Sequence, residues 1–508
     1  IKIAIINILK LCEKDEKSMS REVVIGLDIG TTSVKACVFD LQGKLIAEAE
    51  RMNTFHYPKQ GWVEQNPIEI EQSAVQAIKE VIEKAKIEKR ELISVGFSSA
   101  MHSLICIDEK GFPISPALIW ADGRSYLQAE SVIETMGNEV YSNTGTPVHP
   151  MTPFVKLLWM KETKYDPYLQ AKYFMSIKEY LLQCWFNKRV IDYSMASATG
   201  LFNPDTHTWN QTLLSLTGIH EDQLSRIVPP TEILTGINPQ IAEEMGIDSE
   251  LPFVIGAADG QLANLGIGAI LPGEVAVSVG TSGAIRQFTR GVKMSEHQEN
   301  FCYSFTEDFS IIGGPTNNGG IALQWLKDLL NDPRDFADFL ADAEKVPLGS
   351  DGIIFHPYLN GERAPIWNQR AKGNFFGLSI THRREHFIRA VLEGITFNLF
   401  QIGKALESLA GKHQKIYVNG GLSRSPLWLQ MMADVFKAEI YVPESYHSAA
   451  WGAAWTALVA TGKVHSFEDI KKNIPMGEAI VPIKDNSEKY RLIYEKYEKL
   501  ASGMSQHF

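Results

Sequence analysis

Twice in this chain an apolar, β-branched run ends in a small, hydroxyl-rich turn. Val23-Val24-Ile25-Gly26-Leu27 leads into Asp28-Ile29-Gly30-Thr31-Thr32-Ser33, and Val275-Ala276-Val277-Ser278-Val279 leads into Gly280-Thr281-Ser282-Gly283. Each reads as a strand that runs into a turn. Gly, Thr and Ser do not crowd a ligand, and such turns present unpaired backbone N–H groups to it. That suits the oxygens of a polyphosphate. One turn in each half of the chain suggests a single phosphate chain clamped between two lobes. Between them Ile255-Gly256-Ala257-Ala258-Asp259-Gly260 reads as a strand that ends in a carboxylate. Two phosphate turns and a strand-end acid point to phosphoryl transfer from a nucleotide to a hydroxyl.

The bulk properties agree. A chain of 508 residues is too long for one core and suits two large domains or three ordinary ones. A net charge of −11 argues against a nucleic-acid binder or a polybasic membrane surface. It leaves room for an anionic small substrate, which needs only local basic groups. Cys12, Cys37, Cys106, Cys184 and Cys302 have no metal-ligand spacing and fit a reducing cytoplasm. The apolar stretch Ile1 to Leu11 is too short to span a bilayer and lacks a cleavage site. Residues 1–18 read as an upstream extension, with an extra strand or helix as the alternative.

Along the chain, strands are expected at Val34 to Asp40 and Leu45 to Glu50, joined by a hairpin turn at Leu41 to Lys44. A helix should open at Asn66-Pro67 and run to about Lys86, before a strand at Leu92 to Ser98. The second half repeats the theme. Strands are expected at Val275 to Val279, Ala284 to Phe288 and Phe309 to Ile312, then a helix at Ile321 to Leu330 and a strand at Lys415 to Asn419. A charged helix closes the chain at Ser487 to Met504. This reads as an internal duplication of fold, with a domain boundary near Ala263 to Leu271. Asn264-Leu265-Gly266-Ile267-Gly268 is small and glycine-rich, as a hinge can be.

From about Val23 to Gly462 the chain resembles the FGGY carbohydrate kinases, a branch of the actin-like ATPases. The resemblance is carried by Gly26 to Ser33, Ser98-Ser99-Ala100-Met101-His102, Trp120-Ala121-Asp122-Gly123-Arg124, Gly256 to Gly260, Gly280 to Gly283, Gly361-Glu362-Arg363-Ala364-Pro365 and Asn419-Gly420-Gly421-Leu422-Ser423. It implies an α/β protein of two ribonuclease-H-like domains flanking a deep catalytic cleft. The first, 19–266, would hold sugar, the first phosphate turn and the acid; the second, 267–508, would hold adenosine. The cofactors implied are ATP and Mg²⁺. The resemblance leaves a homodimer open.

Residue roles follow on the same terms. Asp259 is the general base for a sugar hydroxyl, or else simply caps the next helix. Asp28 is assigned to Mg²⁺, with Asp259 beside it, or else forms an Asx turn. Gly30, Thr31 and Thr32 face phosphate. Lys35 either reaches phosphate or is solvated. Gly280 and Thr281 resemble the second phosphate turn. Gly420, Gly421, Leu422 and Ser425 resemble one adenosine wall, and Gly320 and Gln324 the other. Met101 and His102 match the sugar-contacting pair, with Trp120, Gly260, Gln261 and Arg286 completing the substrate set. Gly361 to Pro365 reads as a structural loop in which Glu362 and Arg363 pair.

Within the family the segments Phe97 to Ser103, Thr144 to Met151, Ile177 to Tyr180 and Gly280 to Arg286 most resemble the branch that phosphorylates gluconate. The reaction implied is ATP plus D-gluconate giving ADP plus 6-phospho-D-gluconate. A sugar acid brings a charge into a cleft that already holds ATP and Asp259, so something basic must offset it. His102, His149, Lys178 and Arg286 are the candidates. The alternatives are a kinase for another sugar such as xylulose, or an actin-like nucleotide switch without catalysis. A switch has no need of Asp259 or of the Met101-His102 pair.

Overall fold

The computed structural model describes residues 21–444 and 447–504. The proposed extension at 1–18 lies outside them. Two six-stranded sheets dominate. The first runs Ile233–Leu234, Phe253–Ala258, Leu92–Ser99, Val23–Ile29, Ser33–Asp40, Leu45–Met52. The last three form an antiparallel meander, and Val23–Ile29, Leu92–Ser99 and Phe253–Ala258 are parallel. The second runs Phe301–Ser304, Phe309–Thr316, Gly283–Arg290, Glu274–Val279, Lys415–Asn419, Glu439–Tyr441. Again antiparallel strands lead into parallel ones, but here Phe309–Thr316 lies between Gly283–Arg290 and Phe301–Ser304. The duplication of fold is therefore visible in five strands of each sheet, the sixth lying at opposite edges.

Local sequence explains the elements. Val23, Val24, Ile25 and Leu27 are all buried, so their strand is covered on both faces, as parallel strands require. The helix Pro67–Ala85 starts where Asn66 accepts the Ile68 N–H and Pro67 fills the first turn. Asp40 turns the first hairpin by accepting from the N–H groups of Gln42 and Lys44.

The segment expected to be a hinge is a packed helix. Asp259–Gly266 crosses Ser448–Ala460, a helix from the far end of the chain that lies on the first sheet. Small residues allow the approach. A Cβ on Gly266 would collide with the Ser448 carbonyl, and one on Gly452 with the Leu262 carbonyl. Gly26 and Gly96 in the sheet stand against the carbonyls of Ala450 and Ala453 in the same way. These glycines serve backbone contact, not looseness.

Candidate active site

Parallel strands place ligand-binding groups at their carboxyl ends. Asp28 is in register with Ser98 of the neighbouring strand, and Ser98 is in register with Ala257 of the next. Asp28 and Asp259 therefore emerge on either side of Ser98. The Ser98 hydroxyl donates to Asp28 Oδ1 at 2.7 Å. Asp259 opens its helix, and its Oδ1 accepts the Gly260 N–H at 2.7 Å. It thus serves the helix start and still faces the cavity. Burial, and then the charge of Asp28, push the Asp259 carboxyl up to about 6; Arg286 and the Gly260 N–H pull it back. Burial also raises Asp28, against the Ser98 hydrogen bond and Lys35.

The first turn has its carbonyls tied back. Asn53 Nδ2 donates to Gly30 O at 2.9 Å, Gln65 Nε2 donates to Thr31 O at 2.8 Å, and Asn53 N donates to Thr32 O at 2.8 Å. What the turn has left to offer is N–H groups and hydroxyls. In the second turn the helix Gly320–Leu329 donates from Gly320 N to Gly280 O at 2.7 Å and from Ile321 N to Thr281 O at 3.0 Å.

Two cavities meet at Gly280. One, of about 470 Å³, is lined by Asp28, Gly30, Thr31, Thr32, Lys35, Met101, His102, Trp120, Met151, Asp259, Ser282, Arg286, Tyr303 and Arg363, among others. The other, of about 630 Å³, is largely apolar and includes Thr281, Gly320, Gln324, Phe336, Leu340, Gly421, Leu422, Ser425 and Leu427. The first suits a polyol and phosphates, the second a flat base. Lys35 stands on the first wall, 3.3 Å from Glu50. Gln324 stands on the second and donates to Asp328 at 2.7 Å.

On the wall of the polar cavity, His102 Nδ1 lies 2.8 Å from Ala198 O. A carbonyl only accepts, so Nδ1 carries the proton and Nε2 remains an acceptor. Burial and Lys156 hold the His102 pKa down to about 3. His102 has φ of 69°, in the left-handed region. Lys156 pins that bend. Its ammonium donates to the carbonyls of His102 at 2.7 Å, Leu118 at 3.0 Å and Ile119 at 2.8 Å.

Several sequence-based placements need correction. Lys178 does not reach the cavity; it is fully buried, 2.5 Å from Asp192, and donates to Ile255 O. His149 accepts from Met151 N and meets Gln369, and burial lowers it to about 3, so it carries no charge at neutral pH. Gln261 is turned round the helix into packing, where neither amide atom finds a hydrogen-bond partner among the described residues. Gly260 lies beneath Arg286, not on the wall. Gly420, at φ of 95°, lies against the Val279 backbone, which a Cβ would strike; Gly421 takes the cavity wall instead. The expected Glu362–Arg363 pair forms only through the Arg363 backbone N–H, which donates to Glu362 at 2.8 Å; the guanidinium turns elsewhere. Its Nη2 donates to Thr316 O at 3.1 Å, its guanidinium sits 5.5 Å from the Trp120 ring, and it lines the polar cavity. Its motif was visible in sequence, but its direction was not. Tyr303 has no sequence signal, and Met151 has one only as the end of the Thr144 to Met151 segment.

Comparison with known proteins decides the family. The model of the N-terminal domain of FGGY carbohydrate kinases matches residues 23–266, and that of the C-terminal domain matches 275–461. The chain belongs to the FGGY family of carbohydrate kinases. Among FGGY relatives, the gluconokinase of Bacillus subtilis is 44% identical over 92% of this chain and 94% of its own length. A xylulose kinase of Staphylococcus epidermidis is 28% identical over 96% and 98%. The crystal structure of gluconate kinase from Lactobacillus acidophilus superposes with a TM-score of 0.92 at 33% identity, covering 95% of this chain and 98% of that one. That of ligand-bound xylulose kinase from the same organism gives 0.92 at 32%, with the same coverage. The two sheets are thus those of FGGY kinases, and the chain is a carbohydrate kinase. No helix among the described residues is long and apolar enough to cross a membrane.

Proposed function

We propose that this FGGY kinase transfers the γ-phosphoryl group of ATP to the terminal hydroxyl of D-gluconate, giving ADP and 6-phospho-D-gluconate. The observation that carries this is a polar cavity holding Asp259 together with two guanidiniums, Arg286 and Arg363, and opening at Gly280 onto an apolar cavity. A neutral sugar has no need of two buried cations. Phosphates supply part of their counter-charge, and a sugar carboxylate supplies the rest. The 44% identity to a gluconokinase supports the same substrate.

The apolar cavity takes adenine between the Gly421–Leu422 backbone and the helix that carries Gln324. The phosphates run past Gly280 into the polar cavity, held by N–H groups of the two turns. The sugar lies against Met101, His102 and Trp120. Asp259 takes the proton of the terminal hydroxyl as its oxygen attacks the γ-phosphorus and the bond to the ADP oxygen breaks. The charge of Asp28 raises the proton affinity of Asp259, burial raises both, and a hard cation relieves this. That donor chemistry fits Mg²⁺. Asp28 would hold it, with phosphate oxygens and water, and it would neutralise charge on the transferred group.

The test is ADP release across gluconate, xylulose, ribulose and glycerol. The reading requires gluconate to have the highest kcat/KM. A tenfold preference for a neutral ketose overturns gluconate and favours the xylulose reading.

A further inference from the structure

Gly260, the residue after the base, is a glycine without a backbone reason. It lies in the first turn of the helix Asp259–Gly266 and has no positive φ. Glycine weakens a helix relative to alanine. The reason lies in space. A Cβ at this position would stand 2.9 Å from Nε, 3.2 Å from Cζ and 3.3 Å from Nη2 of Arg286. Those are its three nearest atoms, so the guanidinium lies across the start of the catalytic helix where a side chain would be.

That guanidinium is unspent. Its Nε is buried without a hydrogen-bond partner among the described residues. It feels the charge of Asp259, and it lines the polar cavity. Its strand is fixed there, since Asn264 of the same helix donates to the Arg286 carbonyl at 3.3 Å. Arg363, by contrast, already donates to Thr316 and packs near Trp120. A buried cation without an anion invites one, and a guanidinium takes a carboxylate in bidentate fashion.

We propose that Gly260 sets specificity for a sugar acid: its missing side chain seats Arg286 to bind the substrate carboxylate. This rests on the gluconate reading above. The γ-phosphate is the other anion that could meet Arg286, and the assay arms separate the two.

The experiment compares wild type, Gly260→Ala, Arg286→Leu and the double variant with gluconate, the neutral six-carbon polyol sorbitol, and ATP. Gly260→Ala should fold with an unchanged or higher Tm. The atoms it displaces end a flexible side chain, and alanine favours the helix. Its KM for gluconate should rise roughly 10- to 100-fold, the range for losing a charge-assisted pair. Its kcat should fall less. Arg286→Leu should do the same, and the double variant should be no worse than Arg286→Leu alone. Turnover of sorbitol relative to gluconate should rise in all three. An unchanged gluconate KM in Gly260→Ala overturns the proposal. So do additive losses in the double variant, and so does a KM for ATP that rises with that for gluconate, because Arg286 then serves phosphate. A wild-type enzyme that prefers a neutral sugar removes the gluconate reading before any variant is made. A wild-type enzyme that prefers gluconate, with an unchanged acid-to-polyol ratio in Gly260→Ala, overturns this inference alone.

Discussion

Trp120 and Thr31 are joined across the cleft floor: the indole Nε1–H donates to the Thr31 hydroxyl at 2.9 Å. Both line the polar cavity, Trp120 on its wall and Thr31 in the first of the two small turns. The hydroxyl keeps its own proton to give to a phosphate oxygen. Trp120→Phe keeps a ring and removes the donor. Its kcat/KM should fall about 3- to 10-fold, the range for one hydrogen bond, with the KM values for ATP and sugar rising together. Thr31→Val should behave alike. The double variant should lose little more than the worse single, and strictly additive losses would show that the bond does not couple the two halves.

Asp259→Asn separates chemistry from stability. Loss of the base should lower turnover roughly 10²- to 10⁴-fold while ATP still binds, as calorimetry would show. The same change should stabilise the free enzyme. The folded carboxyl is raised to about 6 from 3.8, so its ionised form at pH 7.5 opposes folding. A Tm higher by roughly 2–4 °C per kcal/mol relieved is expected at pH 7.5, with the gap closing towards pH 4. A lower Tm at pH 7.5 would contradict the assigned burial cost.

The same carboxyl should set the acid limb of the rate profile. A base works only when deprotonated, so kcat/KM should fall as pH drops through about 6. Arg286 lowers that value by its charge. In Arg286→Leu the limb should move to higher pH, and a shift in the opposite direction would exclude Arg286 as its neighbour.

Lys156→Met tests the tripod behind His102. Methionine fills the volume but removes the donor: the Leu118 and Ile119 carbonyls keep the N–H groups of Leu104 and Asp122, and the His102 carbonyl is left without one among the described residues. The loss should be about 1–3 kcal/mol, read as a lower denaturant midpoint. In protein that still folds, the sugar KM should rise while the ATP dissociation constant holds. A change confined to ATP would place the tripod's effect on the wrong side of the cleft.

What the sequence discloses here is local. Strand, glycine and hydroxyl follow one another within a few residues at Gly30 and Gly280, so the turns and Asp259 were legible without a fold. The same holds for the Asn66-Pro67 helix start. Lys178 and Gln261 were misplaced because their contacts, Asp192 and the packed side of a helix, are set by tertiary arrangement. Arg363 was underrated for the same reason: only the folded loop brings it over Trp120. The supposed hinge at Asn264 to Gly268 shows that small residues mark close backbone approach as well as freedom, and the partner that decides between them lies some 180 residues on, at Ser448.

That partner has a consequence for biosynthesis. The helix Ser448–Ala460 covers a face of the first sheet, yet the ribosome makes it some 190 residues after that sheet's last strand, Phe253–Ala258. Until residue 460 has left the exit tunnel, Gly26 and Gly96 have nothing against them, and the apolar face around Val24, Cys37 and Val254 stays open to water. The amino-terminal half therefore emerges early and waits. A stop codon anywhere before that helix would cost both lobes, not just the second, and the two halves made as separate polypeptides should recover activity only when the second carries this helix to the first.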